Sequence, residues 1–346
     1  MAVVIPCRNE AQSICALLDA LLTQGRRPDE TVVVDDASTD GTAGVIGKWA
    51  SANADLPITV VTGSGRGAGA AMNTGITAAR ASVVVRLDGH CRPARNYIEQ
   101  CLLTLGNQPN VGVVGGVWQI EPGATTTAAH GIAAVLSHPM GSGGAAYRRA
   151  GDPRKSQEPS TVDTVPFGAF RRSLWESVGG FDESLLRNQD YDFNHRVRLR
   201  GLDVVLNPAI VSVYRARPTL SALARQYFGY GFWKVVMLRK FPASLRLRQL
   251  LPLLLAPGLA ALAVWAGLTH ALVPVLLLSA YFSLDLIGAA QAAGRAGDLR
   301  LIPFGAAALV TLQTAWSAGA WASLLKGLAA TAGPLHRQPG RSGKLY

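Results

Sequence analysis

The sequence predicts an α/β protein whose mostly parallel sheet is covered by helices on both faces, followed by helices that lie on and in a membrane. Three observations predict it. Short β-branched runs alternate with helical patterns through the first two hundred residues. Those runs are apolar on both faces, as strands buried on two sides must be, and carboxylates stand at their carboxyl ends. The last hundred residues hold apolar stretches long enough to span a bilayer, and the surplus positive charge lies among them.

Residues 1–214 form the predicted sheet unit. AVVI (2–5) precedes an amphipathic stretch, Ala11 to Leu22, with Ile14, Leu17, Leu18, Leu21 and Leu22 at helical spacing. TVVVDD (31–36) precedes a helix that Ser38 or Thr39 would cap. ITVVT (58–62) precedes a helix over 68–81, SVVVRLD (82–88) one over 94–105, and VGVVGGVW (111–118) is a further strand. Residues 121–160, rich in Gly, Thr, Ala and Pro with a basic PRK at 153–155, read as a long excursion or lid. A strand, a turn and a helix starting near Asn188 fill residues 162–201.

The net charge of +11 over 346 residues is not spread evenly. Residues 1–203 carry 19 Lys/Arg against 20 Asp/Glu, whereas 204–346 carry 14 against only Asp285 and Asp298. A basic surplus confined to the apolar part points to anionic lipid and excludes nucleic acid as the partner. Residues 215–248, with eight basic residues and no acid, read as one or two amphipathic helices in the membrane interface. Residues 249–330 read as a helical hairpin, interrupted at GLTHALVP (267–274), plus a third apolar segment from Leu301 to about Leu325; residues 331–346 are a basic tail. Three spans would put that tail opposite the sheet unit, while its charge favours the cytosolic side, so the third segment is read as a span, as re-entrant or as lying partly in the interface. Cys7, Cys15, Cys91 and Cys101 lack metal or disulfide spacing and read as reduced thiols. The opening MAVVIPCRNE has no signal-peptide pattern.

Ligands of such sheets bind beyond the carboxyl ends of the strands, where Asp35, Asp36 and Asp88 fall. Asp88 and His90 are two residues apart and can face one divalent ion, Mn²⁺ or Mg²⁺; alone, the pair equally serves as a turn cap and a loop histidine. NQDYDF places Asp190 and Asp192 at a helix start, where a carboxylate serves as a general base or simply meets the helix dipole. GSGRGA (63–68), after a strand and before a helix, fits the outline of a dinucleotide fingerprint. That reading, a membrane-tethered dinucleotide-binding protein, leaves Asp35, Asp36, His90 and Asp190 without a role.

The ordered series VVIPCRNE, VVVDDASTDGT, RGAGAAMNTGI, VRLDGH, GGFDE and NQDYDFNHRVRLRG resembles the family 2 glycosyltransferases of GT-A fold. VDTVPFGAFRR (162–172) and RQYFGYGFWK (225–234) make it similar to bacterial exopolysaccharide enzymes such as the succinoglycan glucosyltransferases. The resemblance implies that Pro6, Arg8, Glu10 and Asp36 hold the nucleoside and that Arg66 and Asn73 line the donor pocket. It puts Asp88 and His90 at the metal site and makes Asp190 the catalytic base. Asp182, Gln226, Tyr227, Trp233 and Lys234 then belong to the acceptor or interface region. His90 stands where the family has a second acid, and Gln189 where it has a glutamate.

The implied activity is inverting transfer of one sugar from a nucleotide-diphosphate donor, UDP-glucose, to a polyprenyl-diphosphate-linked glycan. It would take place at the cytosolic face of a bacterial inner membrane, with a divalent metal as cofactor. The alternative is a polyprenyl-phosphate monosaccharide synthase, whose acceptor is the lipid phosphate itself. The small number of spans argues against a processive, polymer-extruding synthase.

Overall fold

A computed structural model describes residues 1–106, 109–148, 158–242 and 247–332. Its centre is one mixed sheet in which strands β1 (Ala2–Cys7), β2 (Glu30–Asp35), β3 (Ile58–Thr62) and β4 (Val83–Arg86) run parallel. They alternate with helices α1 (Ile14–Leu22), α2 (Thr42–Ala52) and α3 (Ala68–Ala78). After a two-residue strand β5 (Arg92–Pro93) and helix α4 (Tyr97–Gly106) comes the long strand β6 (Val111–Glu121). Further on come strands β7 (Ser160–Thr161), β8 (Ala169–Arg171) and β9 (Asp203–Arg215). The order is β3-β2-β1-β4-β8-β6-β9-β5, with β7 pairing to β9. β8 is inserted antiparallel between β4 and β6, so the sheet is mixed but mostly parallel.

All six residues of β1 are buried because helices cover both faces. One face packs Ile14, Leu17, Leu18 and Leu21 of α1 with Ile46 and Trp49 of α2 and Ile98 and Cys101 of α4. The other packs Met72 and Ile76 of α3 with α7 (Arg172–Val178) and α8 (Gln189–Leu199), through Leu174, Phe193 and Val197. Each such side chain contributes about 1.5–3 kcal/mol by leaving water. The four cysteines are free thiols, and burial pushes Cys7 up to about 12. It therefore stays protonated and unreactive at neutral pH.

Two expectations are corrected within this unit. Neither Ser38 nor Thr39 caps α2; its N-cap is Gly41, and Asp40 accepts from the Thr42 amide at 3.0 Å. Ser38 Oγ instead accepts from the Asn9 amide at 2.9 Å, and the Thr39 amide donates to Asn9 Oδ1 at 2.8 Å, so this turn is spent on tying the first loop down. The excursion after β6 is not a loose lid over its described length. Thr126 caps helix α5 (Thr127–Leu136), which is followed by the short helix α6 (Pro139–Ser142). Ile132, Val135 and Leu136 of α5 bury against apolar helices from the end of the chain. The PRK segment lies outside the described residues.

Within the basic stretch after β9, Leu220–Lys240 form one helix, α9, capped by Thr219 Oγ1. Rather than lying alone in an interface, it packs on α12 (Ile302–Ala332). Glycines make the approach possible: a Cβ at Gly231 would sit 1.9 Å from the Trp316 carbonyl, and one at Gly319 2.0 Å from that of Phe228. Helices α10 (Leu247–Thr269) and α11 (Leu272–Ala296) form the hairpin, breaking at His270, whose φ is +50°. Pro252–Thr269, Leu272–Ala296 and Leu299–Gly327 are each long and apolar enough to cross a membrane. α12 is a continuous helix, so the third segment has the form of a span rather than a broken, re-entrant hairpin. Asp285 pairs with the neighbouring helix, accepting from Gln313 Nε2 at 2.9 Å. Most of the basic tail falls beyond the described residues.

Candidate active site

β4 ends at Arg86, and the next two positions place Leu87 in the core and Asp88 in a cleft of about 720 Å³. Arg86 is 2% exposed, a cation inside an apolar sheet, and such a charge persists only if it is paired. Its Nε donates to Asp88 Oδ1 at 2.9 Å, and its Nη1 donates to Asp190 Oδ1. Arg86 thus joins the two carboxylates that the sequence placed 102 positions apart, and it remains charged between them. Asp190 comes from the first turn of α8, whose N-cap, Asn188, adopts φ +65°. Phe167, which also lines the cleft, has φ +50°; its carbonyl accepts from the buried Tyr97 hydroxyl at 3.2 Å. Non-glycine residues held in this region cost roughly 1–3 kcal/mol each and cluster at functional sites.

Burial raises Asp190 to about 6, Asp88 adds to the rise, and the neighbouring Arg86 opposes it. A carboxylate at that value is ionised at neutral pH yet basic enough to take a proton. His90 Nδ1 lies 2.8 Å from Glu10 Oε1. A carboxylate can only accept there, so Nδ1 carries a hydrogen, and in the neutral ring Nε2 keeps its lone pair. Burial works to lower His90, but the Glu10 hydrogen bond and the charges of Asp88 and Glu10 outweigh it and raise the imidazole. Glu10 is itself held by the Ser13 hydroxyl.

Of the residues expected from the sequence, Arg8, Asp88, His90, Asp190, Gln226 and Trp233 line this one cleft. Arg8 Nη1 donates to the Gly65 carbonyl at 3.3 Å. Gln226 donates to the hydroxyls of Tyr214 and Tyr230 at 3.0 and 3.1 Å. Others are placed elsewhere. Pro6 is buried in β1, and Glu10 reaches the cleft only through His90. Asp36, 3% exposed, accepts from the amides of Gly65 and Gly67 at 2.7 and 2.8 Å. Those glycine amides, which a dinucleotide fold would aim at pyrophosphate, are thus occupied by the protein's own carboxylate. That removes the dinucleotide reading of GSGRGA.

Arg66 pairs with Glu183 at 2.7 Å on the outer side of the same loop. Asn73 does not line the cleft. Its amide donates to the Phe181 carbonyl and Glu183, both at 2.9 Å, and its oxygen accepts from the Phe181 amide and Trp175 Nε1. All its capacity goes into shaping the GGFDE turn that leads to Asp190. Asp182 pairs with Lys240 at the end of α9, fastening that helix to the same loop. Tyr227 is buried with its hydroxyl on Arg148, and Lys234 Nζ stands 3.7 Å from the centroid of the Tyr191 ring.

Two arginines escaped the sequence reading. Arg86 had a usable signal: it is the one charge in an apolar strand and stands two residues before Asp88, hence toward the same side. Arg148 had none, lying in the Gly- and Ala-rich excursion.

Residues 2–179 match the family described as Glycosyl transferase family 2. The succinoglycan biosynthesis protein ExoA of Rhizobium meliloti (strain 1021) is 28% identical over 335 residues, covering 93% of this chain and 94% of that protein. The glycosyltransferase AglE of Haloferax volcanii is 27% identical over 241 residues, 69% of this chain and 74% of its own. Among solved structures, the mannosyltransferase PcManGT of Pyrobaculum calidifontis, in complex with GDP-Man and Mn²⁺, superposes with a TM-score of 0.66 at 23% identity. That superposition covers 94% of this chain and 87% of the other, and it shows the same fold.

Proposed function

Because the chain belongs to glycosyl transferase family 2 and is a glycosyltransferase of GT-A fold, we propose that it moves one sugar, with inversion, from a nucleotide diphosphate to a polyprenyl-diphosphate-linked glycan. The donor is UDP-glucose, and the product feeds exopolysaccharide synthesis at the cytosolic face of a bacterial inner membrane. One observation carries this reading: Asp88, His90 and Asp190 meet in a single cleft that α9 also lines, and α9 packs directly on a helix long and apolar enough to span a bilayer. The similarity to a succinoglycan biosynthesis protein along nearly the whole chain supports the choice of pathway.

Asp190 accepts the proton of the acceptor hydroxyl as it attacks the anomeric carbon from the side opposite the leaving diphosphate. Arg86 holds Asp190 in place, and its positive charge opposes the burial and the Asp88 charge that favour the protonated form. Asp88 keeps one oxygen beyond the Arg86 contact, and His90 offers Nε2, its other nitrogen being fixed by Glu10. Among the described residues no cluster of three or more metal-ligating side chains forms. Two protein ligands nevertheless suit Mn²⁺ or Mg²⁺, which take their remaining oxygens from water and substrate phosphates. Such an ion, when bound, would neutralise charge on the departing diphosphate.

The test uses the full chain in detergent, UDP-[¹⁴C]glucose and a polyprenyl-diphosphate-linked oligosaccharide. Label is expected on the glycan in the lipid phase, with anomeric configuration opposite to the donor's. Label attached directly to polyprenyl phosphate would establish the monosaccharide-synthase alternative instead. No transfer from any sugar nucleotide to either lipid would overturn both.

A further inference from the structure

Arg148 is 9% exposed and lies on the wall of the cleft. Its charge meets no carboxylate among the described residues. Nη1 donates to the Tyr227 hydroxyl at 2.6 Å, and Nε has no acceptor. The rings of Trp118, Tyr147 and Tyr227 each lie 5.8 Å from the guanidinium carbon, and Tyr214 stacks on Trp118 with centroids 4.4 Å apart. Aromatic faces stabilise a cation by less than it loses on leaving water. A guanidinium kept in such a place is built for an anion that arrives from outside.

The charge on the cleft wall gives the same answer. It carries Arg8, Arg86, Arg148, Arg187 and Arg217 against only Asp88 and Asp190. Arg86 is already matched by both aspartates, which leaves four arginines on the wall with no carboxylate partner among the described residues. One nucleotide diphosphate, whose charge an ion held at Asp88 and His90 would partly neutralise, does not require four. The surplus fits two anionic groups in one cleft.

We infer that Arg148, boxed by Trp118, Tyr147 and Tyr227, binds the diphosphate of the lipid-linked acceptor, separately from the Asp88–His90 side that takes the donor. Placement selects the acceptor. Asp88 and His90 follow β4 and lean on Glu10, just after β1. Arg148 instead hangs from Tyr227 on α9, about one turn before Gly231, whose close approach to the Trp316 carbonyl joins α9 to α12. A diphosphate whose lipid tail remains in the bilayer reaches the cleft from that helix pair. The inference rests on the transferase reading above and names its second substrate site.

The experiment measures binding of farnesyl diphosphate, UDP and GDP to the detergent-solubilised full chain by calorimetry. Hydrogen bonds to a charged group set the scale, so Arg148→Gln is expected to weaken farnesyl diphosphate by about 10- to 100-fold and leave both nucleotides within about twofold. Arg148→Lys keeps the charge without the planar fork and is expected to fall between. Should the Gln variant lose its melting transition, Arg148→Lys and Tyr227→Phe carry the same comparison. Unchanged farnesyl diphosphate affinity would overturn the inference, and so would a loss confined to UDP or GDP, which would give Arg148 to the donor. Arg148-dependent lipid binding by a protein that transfers no sugar would uphold this site and sink the transferase reading. Transfer with an unchanged lipid KM in Arg148→Gln would do the reverse.

Discussion

Replacing Asp190 with Asn is expected to lower kcat by about 10²- to 10⁴-fold, the range of a lost general base, with nucleotide affinity little changed. The amide fills the same space beside Arg86 but cannot take a proton. The pH profile supplies a second readout. Because burial lifts Asp190 to about 6, the rate of the native enzyme should fall as pH drops through that value. The Asn variant should show no such limb. The stability contribution has the opposite sign to that of an ordinary salt-bridged carboxylate. Its folded value lies above the usual 3.8, so what it contributes in acid is lost as pH rises through about 6. Near-normal turnover in the Asn variant would favour the lipid-phosphate acceptor, since a phosphate needs little help from a base.

Arg86→Leu has the second large effect, and it acts on folding and catalysis together. Removing one partner from a buried ion pair costs about 3–5 kcal/mol, because the remaining charge is stranded. Asp88 and Asp190 are 24% and 31% exposed, so solvent relieves part of this and the lower end is expected. Urea unfolding measures it. In protein that remains folded, Asp190 loses its cation and keeps Asp88, so its pKa rises and the acid limb of the rate profile moves above 6. An unshifted limb together with native stability would mean that Arg86 does not link the two acids.

Most of the sheet was legible because its strands follow simple rules. Alternating apolar runs and helices in β1 through α4 admit few other arrangements, and carboxylates at strand ends mark the ligand side. The site was legible only in part. Asp88 and His90 could be named because they follow the end of an apolar strand, and Asp190 because it opens a helix within the ordered family motifs. Asp36 and Asn73 belong to the same ordered motifs, but their hydrogen bonds run to glycine amides and to the GGFDE turn. A one-dimensional pattern does not distinguish a carboxylate that meets substrate from one that shapes the loop beside it. Helix α9 was read as interfacial from its charge, and its packing on α12, where Gly231 meets Trp316 and Gly319 meets Phe228, depends on contacts between positions more than 80 residues apart. Arg148 lies where composition is bland, and only folding surrounds it with rings.

That Asp88, His90 and Asp190 serve one nucleotide-sugar site is tested most directly by UDP, GDP and NAD affinity with and without Mn²⁺, in the native chain and in Asp88→Asn, His90→Gln and Asp190→Asn. The account predicts Mn²⁺-enhanced binding of a nucleoside diphosphate, lost in the first two variants and retained in the third, with no binding of NAD. Enhancement that survives loss of both Asp88 and His90, or tight NAD binding without metal, would contradict it.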